Sequence, residues 1–484
     1  MNYLTVHLMT LLPFATLTIA AVAVLLYGVL TPRATSAQVA AWAQRGLGVT
    51  ALATLPSWLL RHPASFNGML YFNYAALWFT YVFLIATSVA VCLAAEHLDT
   101  GAADHREVHA LLLLSCLGMM VMAAGGNLVM IFIGLETMSV TLYVLAALAG
   151  LREEGSNEAA LKYLLLGGFA TGFLVYGMAF LYGATGTLDL QRMQLIIGDK
   201  QYQSGYLMLG FALVTVGLGF KVALVPFHMW APDVYEGAPT PITAFMAVGP
   251  KVAGFAAMLR IFSFAGVAAA PVWGPPLAAL AVLTMLVGNL AALAQTNIKR
   301  LLAFSAIAHA GYLALGVVAG TRDGVQAVLY YGATYAFLSL AAFAVVLVVH
   351  GPHNDRLDIS ELAGLSRRSP FLAGCLALAL IGMAGLPPLS GFVGKWLLFM
   401  AAVRQGYVVT AALGILCSAI SVFYYFRLIR LMYMEEPAAE APALVIPPLT
   451  RQVLLGTLIG TVLLSIPVAV AFVPLAGWCA GILG

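Results

Sequence analysis

The feature that most constrains this chain is a succession of apolar runs, each about 20 residues long, divided by short breaks rich in charge, glycine or proline. A bilayer core of about 30 Å is crossed by a helix of about 20 apolar residues, and in lipid the backbone must satisfy its own hydrogen bonds. Fourteen such runs are read, at 8–30, 41–60, 71–95, 108–124, 128–149, 160–183, 204–235, 240–263, 275–294, 300–320, 325–349, 370–404, 407–432 and 452–475. The longest polar connections, 96–107, 185–203, 351–369 and 433–451, leave no room for a soluble domain. The expectation is one all-α polytopic membrane domain over 1–484. No Lys or Arg precedes the first run, so it reads as a retained span and not as a cleaved signal.

Composition excludes several function classes. With 62% hydrophobic and 8% charged residues the chain lies far from a water-soluble domain. A net charge of +3 offers no basic surface for neutralising phosphates, so nucleic acid is not an expected partner. Cys92, Cys116, Cys375, Cys417 and Cys479 stand far apart with no C-x-x-C pair, which argues against iron–sulfur clusters, structural zinc and a disulfide frame. No dinucleotide fingerprint or P-loop is present.

Two runs, 204–235 and 370–404, are too long for one straight span and carry proline inside, Pro226 in the first and Pro387–Pro388 in the second. Both are expected to break. Interrupted helices in two halves of a membrane chain point to an inverted-repeat transporter, because unwound backbone is tolerated only around a polar pathway. An ordinary proline kink is the blander reading. Spacing hints at duplicated halves over 108–263 and 275–432: Glu136 to His309 is 173 residues (309 − 136) and Lys221 to Lys395 is 174 (395 − 221). The prolines do not keep that register, since Pro226 and Pro387 are 161 apart (387 − 226).

Four charged side chains fall near the middle of spans, Glu136, Lys221, Lys251 and Lys395, with His309 a fifth ionisable group. A charge at a helix centre costs about 2.5–3.5 kcal/mol on insertion scales, so such residues face the bundle interior and mark ion or proton routes. A structural ion pair, or a satisfied buried histidine, is the alternative for any single one. Taken together they say more. One carboxylate cannot neutralise three ammonium groups, and moving Glu136 toward or away from a lysine would load or unload a proton. That is a pumping mechanism.

Other features read more plainly. Gly167, Gly168 and Gly172 suit close helix packing. His228, Trp230, Asp233, Tyr235 and Glu236 read as loop capping and interface anchoring ahead of an ion-ligand set, and Glu158 with Lys162 as an intrahelical pair. Asp355, Asp358, Glu361, Arg367 and Arg368 suit a solvated loop or a contact with another subunit. On the side of the termini lie Arg61, Arg192, Lys200, Arg260, Arg322 and Arg404. The other Lys and Arg, the three mid-span lysines aside, fall opposite. The positive-inside rule then puts both termini outside the cytoplasm.

The motifs GLETMS (134–139), EAALKYLLLGG (158–168), FKVALVPFHMWAPDVYEGAPTPITAF (220–245), NIKRLLAFSAIAHAGYLALG (297–316), GLPPLSGFVGKW (385–396) and CSAISVFYYFRLIRLMY (417–433) carry a resemblance. Over about 108–433 the chain resembles the antiporter-like membrane subunits of respiratory complex I, the proton-pumping NADH:quinone oxidoreductase. It looks more like the subunit N branch than like subunits L and M or the cation/proton antiporter subunits. The resemblance implies two inverted five-helix repeats, each with a broken helix. It implies that Glu136 pairs with Lys221 and that their separation changes the lysine's proton affinity. Lys251 would connect two half-channels, His309 would be a polar relay between them, and Lys395 would be the terminal lysine of the second half. Flavin, iron–sulfur clusters and the quinone site would belong to other subunits, leaving this chain no cofactor and no redox activity alone. Its partners would be other membrane subunits of the complex and the lipid of a bacterial inner membrane. Two further readings stay open: a cation/proton antiporter subunit, which one carboxylate among three lysines disfavours, and a non-conducting scaffold.

Overall fold

The computed structural model describes residues 3–31, 33–58, 68–98, 106–147, 154–351, 358–437 and 444–480. Among them the first half holds α1 (Tyr3–Leu30), α2 (Ser36–Ala53), the short α3 (Leu55–Trp58), α4 (Tyr74–His97), α5 (Glu107–Ala124), α6 (Leu128–Ala147), α7 (Glu154–Thr185), α8 (Leu190–Gly198), α9 (Ser204–Val222), α10 (Trp230–Gly237) and α11 (Thr240–Met258). The second half holds α12 (Ala270–Leu293), α13 (Ile298–Ala319), α14 (Arg322–His350), the short α15 (Leu365–Arg368), α16 (Pro370–Ala384), α17 (Ser390–Arg404), α18 (Val408–Met434), α19 (Pro448–Leu463) and α20 (Ile466–Ala480). Eleven of the helices are long and apolar enough to cross a membrane. The remaining three of the fourteen runs are α2 and two runs that each divide into a pair of short helices.

The boundaries differ from the sequence reading in three places. Residues 185–203 hold the amphipathic helix α8, whose buried Leu190, Met193 and Ile197 follow helical spacing and whose Asp189 side chain accepts from Arg192 N at 2.9 Å. The run 41–60 is helical only to Ala53 before the separate turn α3. The run 452–475 is broken between Leu463 and Ile466. Both pieces lie against α14, and Ile466 N donates to Pro388 O at 3.0 Å, so this break meets the one in 370–404.

Helices meet closely where glycine faces backbone. A Cβ on Gly118 would lie 2.5 Å from Met138 N, and one on Gly134 2.5 Å from Met122 N, which sets the approach of α5 to α6. Gly288 and Gly311 do the same for α12 and α13. Of the three glycines on α7, Gly167 packs on Tyr143, whereas Gly168 and Gly172 meet nothing within 4 Å in this chain. The core lies along α11, α13 and α14, which are buried over nearly their whole length, while α1, α7 and α18 keep apolar faces outward.

Both over-long runs are broken, at 223–229 and at 385–389, and each break holds a cis X-Pro bond. Arg260, read above as a surface charge, is buried in the π-helical turn Leu259–Ala265. There its guanidinium donates to Ala123 O at the end of α5 and to Tyr71 O at 2.6 Å, so it does not belong in a count of loop charges. Arg61, Arg152, Arg356 and Asp355 lie outside the residues whose side chains are described.

Candidate functional site

The first break places Lys221. Helix α9 ends as Ala223 turns to φ +61°, with Leu224 N reaching back to Gly219 O at 2.7 Å. The freed backbone groups find partners inside the protein: Trp230 Nε1 donates to Phe220 O at 2.9 Å, and Val225 N donates to Thr284 Oγ1 at 2.9 Å. Lys221, in the last turn, is thereby held among α6, α7 and α9. Its Nζ donates to Ser139 Oγ and to Tyr163 OH, each at 2.9 Å, and lies 5.1 Å from the Tyr163 ring centre. Trp230 stacks on Tyr163 at 4.6 Å and fixes that ring. Glu136 is half-buried on α6. Its Oε1 accepts from Thr171 Oγ1 at 2.8 Å, and no ion pair joins it to Lys221.

Lys251 sits midway along α11 at 2% exposure, with Nζ donating to Ala306 O at 2.5 Å and lying 5.7 Å from the Tyr335 ring centre. Ala306 is one turn before His309 on α13. His309 Nδ1 is hydrogen-bonded to Tyr331 OH at 2.6 Å and Nε2 to Tyr425 OH at 3.1 Å, while Tyr425 also pairs with Ser305. The rings of Tyr335 and Tyr312 stand 5.1 and 5.8 Å from the imidazole. Tyr335 is therefore a shared neighbour of His309 and Lys251, and Tyr312 of His309 and Lys395, whose Nζ is 4.6 Å from the Tyr312 ring centre.

The second break places Lys395. Helix α16 ends at Ala384, and Gly385 takes φ +83°. The Lys395 Nζ donates to Met383 O at 2.9 Å, Ala384 O at 3.1 Å and Ser418 Oγ at 2.8 Å, so all three ammonium protons have acceptors. Two of these are terminal carbonyls of a helix, where the macrodipole favours a cation. A Cβ on Gly385 would lie 2.8 Å from Lys395 Cδ. Glycine is thus required there twice, for conformation and for room.

Lys251 of the first half meets His309 and Lys395 of the second around one cluster of tyrosines, while Lys221 and Glu136 stand apart in the first half and no described side chain bonds both groups. The sequence reading missed Ser139, Tyr163, Thr171, Tyr331, Tyr335, Ser418 and Tyr425. Their only signal was a neutral hydroxyl in an apolar helix, which is commonplace. It also left Asp233 and Glu236 as loop caps. In the structure Lys162 reaches Asp233 at 2.8 Å as well as Glu158 at 2.7 Å, and Arg300 reaches Asp233 at 2.9 Å and Glu236 at 2.7 Å. This network ties α10 to α7 and α13.

Residues 125–421 match the family described as NADH:quinone oxidoreductase/Mrp antiporter, transmembrane. The chain belongs to that family. All five ionisable positions fall within the matched segment. Within the family the chain is similar to NADH-quinone oxidoreductase subunit N of Trichlorobacter lovleyi, 42% identical over 90% of this chain and 89% of the relative. A chain of respiratory complex I from Thermus thermophilus with bound aureothin superposes with a TM-score of 0.81 at 35% identity, covering 96% of this chain and 99% of that one. A chain of the Mrp complex from Dietzia sp. DQ12-45-1b gives 0.85 at 21% identity, covering 98% and 97%, a likeness of fold alone.

Proposed function

We infer that this member of the family is a proton-translocating membrane subunit of an NADH:quinone oxidoreductase, carrying protons along Glu136, Lys221, Lys251, His309 and Lys395 while other subunits perform the redox chemistry. The observation that carries the reading is the way the buried lysines are held. Each ammonium rests on hydroxyls, carbonyls and aromatic faces, and none is within ion-pair distance of a carboxylate among the described residues. A cation held by neutral acceptors can give up its proton without stranding a buried counter-charge, whereas a permanent buried ion pair cannot. The translocase activity belongs to the assembled complex. This chain alone is expected to oxidise no NADH and to hold no flavin, iron–sulfur cluster or quinone.

The inverted halves 108–263 and 275–432 are part of the same proposal. Asn127 bridges to Asp189 and Asn297 to Asp358, pairs that recur 170 (297 − 127) and 169 (358 − 189) residues later. In each pair the asparagine side chain accepts from the start of a helix, Asn127 Oδ1 from Val129 N and Asn297 Oδ1 from Lys299 N, both at 2.8 Å. Localisation is proposed as a bacterial inner membrane with both termini on the non-cytoplasmic side. The test is NADH-driven proton pumping by membranes carrying Lys221→Ala, with assembly checked on a native gel. Loss of pumping in a fully assembled complex is the expected result. Unchanged pumping would make the buried series a packing device and the chain a scaffold.

A further inference from the structure

A small cavity of about 10 Å³ lies between α6, α7 and α9, lined among others by Ser139, Tyr143, Thr171 and Lys221. That is about the room one water needs, and the lining supplies polar partners for it. Two protons of the Lys221 ammonium are taken by Ser139 and Tyr163. An ammonium has three. On the other wall, the Thr171 hydroxyl spends its single proton on Glu136 Oε1 at 2.8 Å and keeps its lone pairs as acceptors. Carboxylate and lysine are thus separated by one hydroxyl and one water-sized space.

We propose that Thr171, with one water in this cavity, is the relay through which Glu136 and Lys221 exchange a proton. The proposal rests on the proton-path reading above and names the connection that the Glu136–Lys221 pair lacks in this structure. In the step, the third N–H of Lys221 passes its proton to the water. The water passes one of its own to Thr171 Oγ1, and the Thr171 hydroxyl proton goes to Glu136 Oε1. Ammonium becomes amine and carboxylate becomes carboxylic acid. Water and hydroxyl end with the composition they began with, and no electron is transferred. The reverse order reloads the lysine. Because a hydroxyl must accept and donate at once, serine can do this and valine, of nearly the same shape as threonine, cannot.

The experiment compares Thr171→Val, Thr171→Ser and Lys221→Ala in membranes holding the assembled complex, reading NADH-driven proton pumping and NADH:quinone turnover against the amount of complex on a native gel. The expected result is a drop of about tenfold for Thr171→Val, near-parental rates for Thr171→Ser and loss for Lys221→Ala. Should the valine variant fail to assemble, Thr171→Ala tests the same hydroxyl without crowding. Parental pumping by Thr171→Val beside loss in Lys221→Ala overturns the relay and leaves the proton-path reading standing. Equal loss in the valine and serine variants also overturns it, since size and not the hydroxyl would then matter. Parental pumping by Lys221→Ala removes the reading itself and the relay with it.

Discussion

Each buried lysine is defined by what its ammonium touches. Lys395 has two helix-terminal carbonyls and a serine, Lys221 a serine and a tyrosine, and Lys251 one carbonyl beside an aromatic face. The acceptors of Lys395 depend on Gly385, whose φ of +83° an L side chain rarely adopts and whose added Cβ would press on the lysine stem. A left-handed conformation costs a non-glycine residue roughly 1–2 kcal/mol, and the clash adds displacement of the ammonium. Gly385→Ala is therefore expected to lower NADH-driven proton pumping about tenfold in assembled complex. Gly374→Ala, inside the helix that Gly385 terminates and where a Cβ meets nothing within 4 Å, leaves pumping unchanged. Equal rates in the two variants would show that Lys395 does not need its position. The four charged positions were visible in the sequence because a charge in an apolar run stands out. The hydroxyls that hold them were not, because serine and threonine can bond a carbonyl of their own helix and tyrosine is common in membrane helices near the interface.

At the level of helices, close approach is written in glycine and read only in space. A Cβ on Gly134 would stand 2.5 Å from a backbone nitrogen of α5, which no rotamer change relieves. Overpacking of this kind costs typically about 1–3 kcal/mol, so Gly134→Ala is expected to lower the amount of assembled complex on a native gel. Gly172→Ala, facing open space in this chain, serves as its comparison and leaves the chain's own thermal stability in detergent unaltered. The sequence grouped Gly167, Gly168 and Gly172 as one packing stripe, yet only Gly167 meets a neighbouring helix here. Spacing says which residues share a face of a helix and not what the face meets. The breaks at 223–229 and 385–389 were legible from length and proline, and the one between Leu463 and Ile466 was not. Helix α8 was not, because nine residues with three apolar contacts fall below the scale on which spans are sought.

For the molecule as a whole, the arrangement of helices sets which surfaces meet lipid or neighbouring subunits, and the proposed orientation rests on the charge imbalance between the two ends. Removing Arg260 from the side of the termini sharpens that imbalance, since a guanidinium satisfied by buried carbonyls plays no part in holding a loop at the membrane surface. A tag at the C-terminus is accordingly expected to be cleaved by protease added outside intact spheroplasts. A tag in the loop after α18 is expected to be protected until the membrane is opened. The opposite pattern would reverse the orientation while leaving the helix assignment intact.

The amino-acid sequence by itself determined that this chain is a helical membrane domain with two broken runs and a short series of ionisable groups inside. The reasons are local. Apolar runs of bilayer length have no other way to satisfy their backbone, proline removes a donor, and a charge in lipid needs a purpose. Only the tertiary structure decided which hydroxyl, ring or carbonyl each lysine rests on, that Glu136 bonds Thr171 and not Lys221, and that Asp233 joins Lys162 to Arg300. Those pairings join residues between 11 and 84 positions apart, from Lys395 with Ala384 (395 − 384) to Lys251 with Tyr335 (335 − 251), and most cross from one helix to another. They follow from how helices pack and where two of them stop, which no single stretch of sequence contains.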